Sequence, residues 1–263
     1  MGYMNEELSL TQNVDKVFFE KNSVLKSEYD RLFESVFKRP AAIRAIVELL
    51  YTRNMGYTRK DLAEKLKISD GGHLTKDLNA LIASDFVLKY VPFGLPKKEA
   101  YYKLIDPFCL FYLHFIKNRT NKNNHYRQQN STLPSITAWR GFAFENVCFN
   151  HINQIKVALG ISGVITTESA WAKKADDEDG LQIDLLISRK DNIVNMCEIK
   201  FYSDDFAVNK EYYRTILRRM EILQTGLSPK NSICSTLITT YGLKKNEYSG
   251  AFAKIITFED LFR

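Results

Sequence analysis

The chain has 263 residues, 45% of them hydrophobic and 26% charged. That is enough for two modest domains, and it is the composition of a soluble globular protein rather than a disordered or fibrous one. The densest apolar stretch, Phe108–Ile116, is interrupted by His114 and is too short to span a bilayer, and Met1–Glu7 lacks the basic-then-apolar pattern of a signal peptide. A cytoplasmic protein with no membrane segment is therefore expected. The net charge of +6 is carried by the first half, with 20 basic and 15 acidic residues up to His125 and 17 against 16 beyond it. Such a bias permits nucleic-acid contact without demanding it. Cys109, Cys148, Cys197 and Cys234 lie far apart in apolar surroundings, which predicts reduced, buried thiols rather than a disulfide frame or a zinc site.

The first elements are helical. Leu25, Tyr29, Leu32, Phe33, Val36 and Phe37 recur at spacings of three and four, and so do Ile43, Ile46, Val47 and Leu50, with Pro40 between the two runs. Thr58, followed three residues on by Asp61, announces a helix through Leu62, Ala63 and Leu66. A turn at Gly71-Gly72 then leads to a helix with apolar positions Leu74, Leu78, Leu81 and Ile82. Two β-prone runs follow, Phe86–Val91 and Ala100–Leu104, joined by Pro92-Phe93-Gly94-Leu95-Pro96-Lys97-Lys98. Three helices and a hairpin predict a winged helix-turn-helix domain over 39–116, whose third helix would enter the major groove while the wing touches phosphates. His73, Thr75, Lys76 and Asn79 would face the bases, Asp77 would oppose the phosphates, and Arg59, Lys60, Lys97 and Lys98 would supply backbone contacts. Use of the same domain for packing or protein contact is the competing reading.

Residues 117–135 are polar and rich in Asn and Gln, closing on Pro134-Ser135, and read as an interdomain linker. The run Asp176-Asp177-Glu178-Asp179-Gly180 reads as a solvated loop. Over 136–263 the expected order is a helix at 138–159, strands at Gly163–Thr167, Leu181–Ile187 and Ile193–Phe201, a helix at Phe206–Gln224, and strands at Cys234–Thr240 and Lys254–Thr257. This order predicts an α/β domain with a mixed central sheet between helices.

Two features of this half carry chemistry. Glu145 falls on a helical stripe with Phe142, Phe149 and Ile152, where a carboxylate is costly unless it is paired, metal-bound or at a cleft edge; pairing with Arg140 or reaching solvent is the structural alternative. In the strands, alternation puts Gln182, Asp184 and Leu186 on one face of the first, and Val194, Met196, Glu198 and Lys200 together on one face of the second. A hairpin centred on Asp191 pairs Leu186 with Met196 and Asp184 with Glu198. Like charges opposite each other repel unless a divalent cation or Lys200 neutralises them. Phosphodiester hydrolysis needs such a set. Asp184 and Glu198 would hold Mg²⁺ or Mn²⁺, Lys200 would activate water or stabilise the transition state, and Glu145 would complete the shell or bind metal. All four are expected to converge at one end or edge of the sheet.

Glu145, then Asp184, then Glu198-Ile199-Lys200, in the order helix, strand, strand, resembles the PD-(D/E)XK superfamily of restriction endonuclease-like folds over roughly 138–240, with Gln182-Ile183-Asp184 where the nominal motif has its proline. The whole chain is similar to the C-terminal part of archaeal-type AAA+ ATPases. The matching stretches are Gly71-Gly72-His73-Leu74, Tyr102–Phe108, Arg140–Glu145, Ile183–Ile187 and Cys197–Tyr202. The resemblance implies an ATPase-lid remnant over 1–38, a winged helix, and a nuclease-like domain. It also implies DNA as a partner, together with an AAA+ ATPase acting from another chain or a missing domain. No GxxxxGK[ST] loop precedes the winged helix, so ATP hydrolysis is not implied. Two function classes follow: a metal-dependent nuclease, or a non-enzymatic DNA- or protein-binding module built on a nuclease scaffold.

The remaining candidates are weaker. His73, His114, His125 and His151 lack metal-ligand spacing. Lys210, Arg214 and Arg218 repeat every four residues and either follow a DNA backbone or form a solvated face. Trp139 and Trp171 read as core or domain-contact residues.

Overall fold

The computed structural model describes residues 3–96, 99–117, 124–173 and 181–263. They divide into two units, Met1–Lys89 with Tyr101–Trp139, and Tyr90–Ala100 with Arg140–Arg263. The expected acidic loop at 176–180, together with Lys97 and Lys98, lies outside the described residues. Among the described residues no helix is long and apolar enough to cross a membrane.

The first unit opens with a short helix α1 (Leu10–Val14), capped reciprocally by Ser9 and Gln12, that runs into a π-helical turn over Asp15–Phe19. α2 (Glu28–Val36) and α3 (Pro40–Tyr51) follow, with Pro40 in the first turn, where its missing N–H costs nothing. A short strand β1 (Tyr57–Thr58) leads into α4 (Arg59–Leu66), and here the expected capping box of Thr58 and Asp61 is present. α5 (Gly72–Ala83), β2 (Val87–Tyr90) and β3 (Tyr101–Leu104) complete the sequence, and the three strands lie in the order β1-β3-β2. Gly56 is obligatory at the entry to β1. Its φ is +75°, and a Cβ there would stand 1.9 Å from the Tyr102 carbonyl oxygen.

Ile43, Ile46, Val47, Leu50, Leu62, Leu74, Leu78 and Leu81 are buried at the periodic positions read from the sequence. A second, aromatic cluster joins Phe19 and Phe111 to Phe115 and Ile136, with Trp139 packed against it; Phe111 and Phe115 come from α6 (Pro107–Phe115). The polar stretch read as a linker contains a short helix, α7 (Tyr126–Asn130). Buried Asp15 holds it by accepting the backbone N–H groups of Arg127 at 2.8 Å and Gln128 at 3.1 Å.

In the second unit the single helix expected at 138–159 is two, α8 (Pro134–Asn150, which begins in the first unit) and α9 (Ile152–Ala158), broken at His151. His151 leaves helical geometry while its Nδ1 lies 2.8 Å from the Val147 carbonyl oxygen. β4 (Thr166–Lys173), β5 (Leu181–Arg189) and β6 (Ile193–Lys200) form an antiparallel meander. β7 (Ser232–Thr239) and β8 (Lys254–Thr257) extend it in parallel, giving a mixed sheet of order β4-β5-β6-β7-β8. α10 (Lys210–Thr225) supplies the β6–β7 crossover, starting later than expected because the Asn209 side chain caps it by accepting the Tyr212 N–H at 2.8 Å. Ile216 and Leu223 of α10 pack on Ile183, Leu186, Val194, Met196 and Leu237, and Phe93, from the Tyr90–Ala100 stretch, packs against the same cluster.

Candidate functional site

The hairpin register agrees with the expected pairing of Leu186 with Met196, and Leu185 lies opposite Cys197, but the expected Asp184–Glu198 pair is not part of the ladder. Strict alternation along β5 does not hold. Ser169 faces Leu186 while Trp171 faces Ile183, so β5 carries one residue more than β4 at Asp184-Leu185. This bulge brings Ile183 and Leu186 into the same core cluster and re-aims Asp184. The grouping of Gln182, Asp184 and Leu186 on one face is thereby corrected. The main-chain ladder stops at Leu185–Cys197, and beyond it the Asp184 carboxylate takes over, its Oδ2 accepting the Ile199 N–H at 2.9 Å.

Asp184, Glu198 and Lys200 come together there. Lys200 Nζ is 4.0 Å from Asp184 Oδ2 and 3.6 Å from Glu198 Oε2. Glu198 has no solvent exposure, and both its oxygens are occupied: Oε1 accepts from Arg219 Nη1 at 2.5 Å, and Oε2 from the Tyr212 hydroxyl at 2.9 Å. Lys200 Nζ also stands 5.7 Å from the centroid of the Tyr212 ring. Burial pushes the Glu198 carboxyl above the ordinary range and Asp184 adds to this, while Arg219 and Lys200 oppose it. Burial, then the charge of Glu198, pushes the Tyr212 phenol upward.

Arg219 and Tyr212 were not singled out in the sequence. A signal exists: Tyr212, Ile216, Arg219 and Leu223 fall at spacings of four, three and four on the inward stripe of α10. An arginine on such a stripe calls for a buried acid.

Glu145 is half-buried on the flank of α8. The buried positions around it are Phe144, Asn146, Cys148 and Phe149, whereas Phe142 and Glu145 are only half-buried. Burial, then the charge of Glu145, pushes the Cys148 thiol up, and Cys197 and Asp184 contribute as well. Among the described residues no three His, Cys, Asp or Glu side chains are gathered to hold a metal ion. Mg²⁺ and Mn²⁺ take oxygen ligands, commonly one or two carboxylates with waters completing the octahedron, and an ion on Glu198 would have to displace Arg219 or Tyr212. Both Glu198 oxygens already hold proton donors, and two cations already balance two carboxylates.

In the first unit, Arg59 is committed to its own turn. It donates to Thr75 Oγ1 at 2.8 Å and to the Gly71 carbonyl at 2.9 Å, and it pairs with Asp70. Asp77 does not oppose phosphates; it is buried and paired with Arg39 at 2.9 Å, because its place on α5 next to Leu78 and three residues after Leu74 turns it inward. Lys60, His73, Lys76 and Asn79 are exposed. In the second unit Lys210, Arg214 and Arg218 are exposed on α10.

No protein-family model matches the chain, and a search of curated proteins finds no match.

Proposed function

We propose that the chain is a DNA-binding protein in which a winged helix is joined to a PD-(D/E)XK-like unit that serves as a scaffold rather than as a hydrolase. The observation that carries the reading is the outward face of α5. His73, Lys76 and Asn79 are exposed there, while Asp77, the acid of this helix, is neutralised inside by Arg39. A helix so faced offers a cation and two hydrogen-bonding side chains to a duplex without presenting a repelling charge. The order helix, strand, helix, helix, strand, strand with sheet order β1-β3-β2 supports the winged-helix assignment. The resemblance to AAA+ C-terminal regions supplies a partner class, an ATPase in another chain or segment for which this protein is the DNA-contacting arm.

The test is duplex affinity across a salt series. Log K should fall linearly with log salt, and Lys76→Ala should reduce the slope by about one. Loss of all duplex binding at low salt would sink the reading in favour of protein contact.

A second reading, a metal-dependent nuclease, is favoured by one observation, the reach of Lys200 to both Asp184 and Glu198. Plasmid nicking in Mg²⁺ or Mn²⁺ that disappears in Asp184→Ala would establish it in place of the scaffold.

A further inference from the structure

The acidic pair of the second unit, buried Glu198 and half-buried Asp184, raises a question independent of DNA binding: what neutralises it. Asp184 and Glu198 converge where the β5–β6 ladder opens, an arrangement that needs positive charge. Two cations are present. Lys200 comes from the same strand as Glu198 and touches both carboxylates more loosely, at 4.0 and 3.6 Å. Arg219 comes from α10, over the sheet, and makes the shorter contact, 2.5 Å from Glu198 Oε1. Its guanidinium reaches Glu198 from within the fold, and Tyr212, seven residues earlier on the same helix, closes the other oxygen.

We propose that Arg219 is a built-in counter-cation. It stands at Glu198 where the fold class to which the second unit is likened would place a divalent metal, and so makes the cluster metal-independent. Three features lead there. The carboxylate is fully buried, so its charge must be met inside the protein. The guanidinium bonds a carboxylate oxygen that a metal would have to use. With Lys200, the charge count closes at two acids and two bases, so a divalent ion would enter an already neutral cluster and meet two repelling cations.

The inference makes the affinity for a divalent ion depend on one side chain. The probe is Mn²⁺ itself, titrated calorimetrically and by electron paramagnetic resonance into the full chain after chelation. The parent should take up no Mn²⁺ that depends on Glu198, so Glu198→Gln leaves its titration unchanged. Arg219→Ala should bind Mn²⁺ at least about tenfold more tightly than the parent and rise in melting temperature when Mn²⁺ is added. Arg219→Lys, which keeps a cation, should behave as the parent does. In the Arg219→Ala background, adding Asp184→Asn should cancel the gain, which locates the ion between the two carboxylates.

Arg219→Ala also leaves a buried carboxylate without its partner. If that variant does not fold alone, recovery of its native circular dichroism on addition of Mn²⁺ supports the inference. If it does not recover, Arg219→Gln decides, because it keeps a hydrogen-bond donor for Glu198 and removes only the charge. A folded Arg219→Gln, or a folded Arg219→Ala, that binds Mn²⁺ no better than the parent overturns the inference. So does a parent whose tight Mn²⁺ binding is abolished by Glu198→Gln. The DNA salt series above reports separately: failure of duplex binding would remove the proposed function and leave the Mn²⁺ outcome standing, and the reverse also holds.

Discussion

A carboxylate with no solvent contact must find its donors inside the protein or lose its charge. Glu198 finds them in Arg219, Tyr212 and Lys200, and the energetic weight of each is separable. Tyr212→Phe removes one hydroxyl and leaves Glu198 Oε2 with Lys200 alone, at 3.6 Å. The expected cost in urea unfolding is about 1–3 kcal/mol, the desolvation penalty of an unsatisfied buried acceptor. In a Glu198→Gln background the same substitution should cost less, because the acceptor no longer carries a charge. The coupling read from the double-mutant cycle should be about 1 kcal/mol. Equal costs in the two backgrounds would show that the hydroxyl does not serve the carboxylate. At this scale the sequence was legible for Asp184, Glu198 and Lys200, since strand spacing and hairpin length place them together. It was not legible for Arg219. That residue adjoins Arg218 in an exposed basic repeat, and only the inward spacing of Tyr212, Ile216 and Leu223 separates it from solvent. Asp77 shows the same difficulty: an acid on a helix expected to meet DNA reads as repulsion until its position within the turn, and Arg39 across from it, are known.

Elements whose ends are marked by local chemistry were read more faithfully than those whose ends are set by neighbours. α4 begins where Thr58 and Asp61 say it should, with the Thr58 hydroxyl at 2.7 Å from Asp61 Oδ2 and the Thr58 N–H at 3.1 Å. The hydrogen bond from Thr58 holds the Asp61 carboxyl below its ordinary value of 3.8. A depressed carboxyl contributes stability that is present above the ordinary value and lost as pH falls through the lowered one. Thr58→Ala should therefore cost about 1 kcal/mol at neutral pH, and the difference from the parent should shrink as the pH falls through the value of Asp61. Melting curves from neutral pH down to about pH 3 would check it; a difference that holds constant to the acid end would assign the cost to the threonine cap alone. The β5 bulge, by contrast, has no mark in Leu181–Arg189. It arises because β4 and β5 differ by one residue between the Ser169–Leu186 and Trp171–Ile183 pairs, a relation between strands that neither strand states. The break at His151 likewise follows from how its ring meets the Val147 carbonyl, which helical periodicity alone does not reveal.

For the molecule as a whole, chain order and unit membership part company at Tyr90–Ala100. These residues connect β2 to β3 of the first unit's sheet, yet they belong to the second unit. In sequence they are a turn rich in Pro and Gly, and nothing in a turn composition names the unit that will hold it. Phe93 supplies the physical reason. Its N–H donates to the Ala170 carbonyl at 3.2 Å, its ring comes within 3.5 Å of where a Cβ on Gly226 would stand, and it packs against the cluster of Leu186, Met196, Ile216 and Leu223. Removing a half-buried phenyl ring should cost somewhat less than the roughly 3–5 kcal/mol of a fully buried one, so Phe93→Ala is expected to cost about 2 kcal/mol. Where that loss falls is the sharper expectation. Units that open separately lose hydrogen-exchange protection separately. In Phe93→Ala, amides of the second unit's central strands, such as Leu237 and Ile238 of β7, should exchange faster. Those of α3 in the first unit, such as Ile46 and Val47, should keep the parent's rates. Faster exchange confined to α3 would return Phe93 to the first unit.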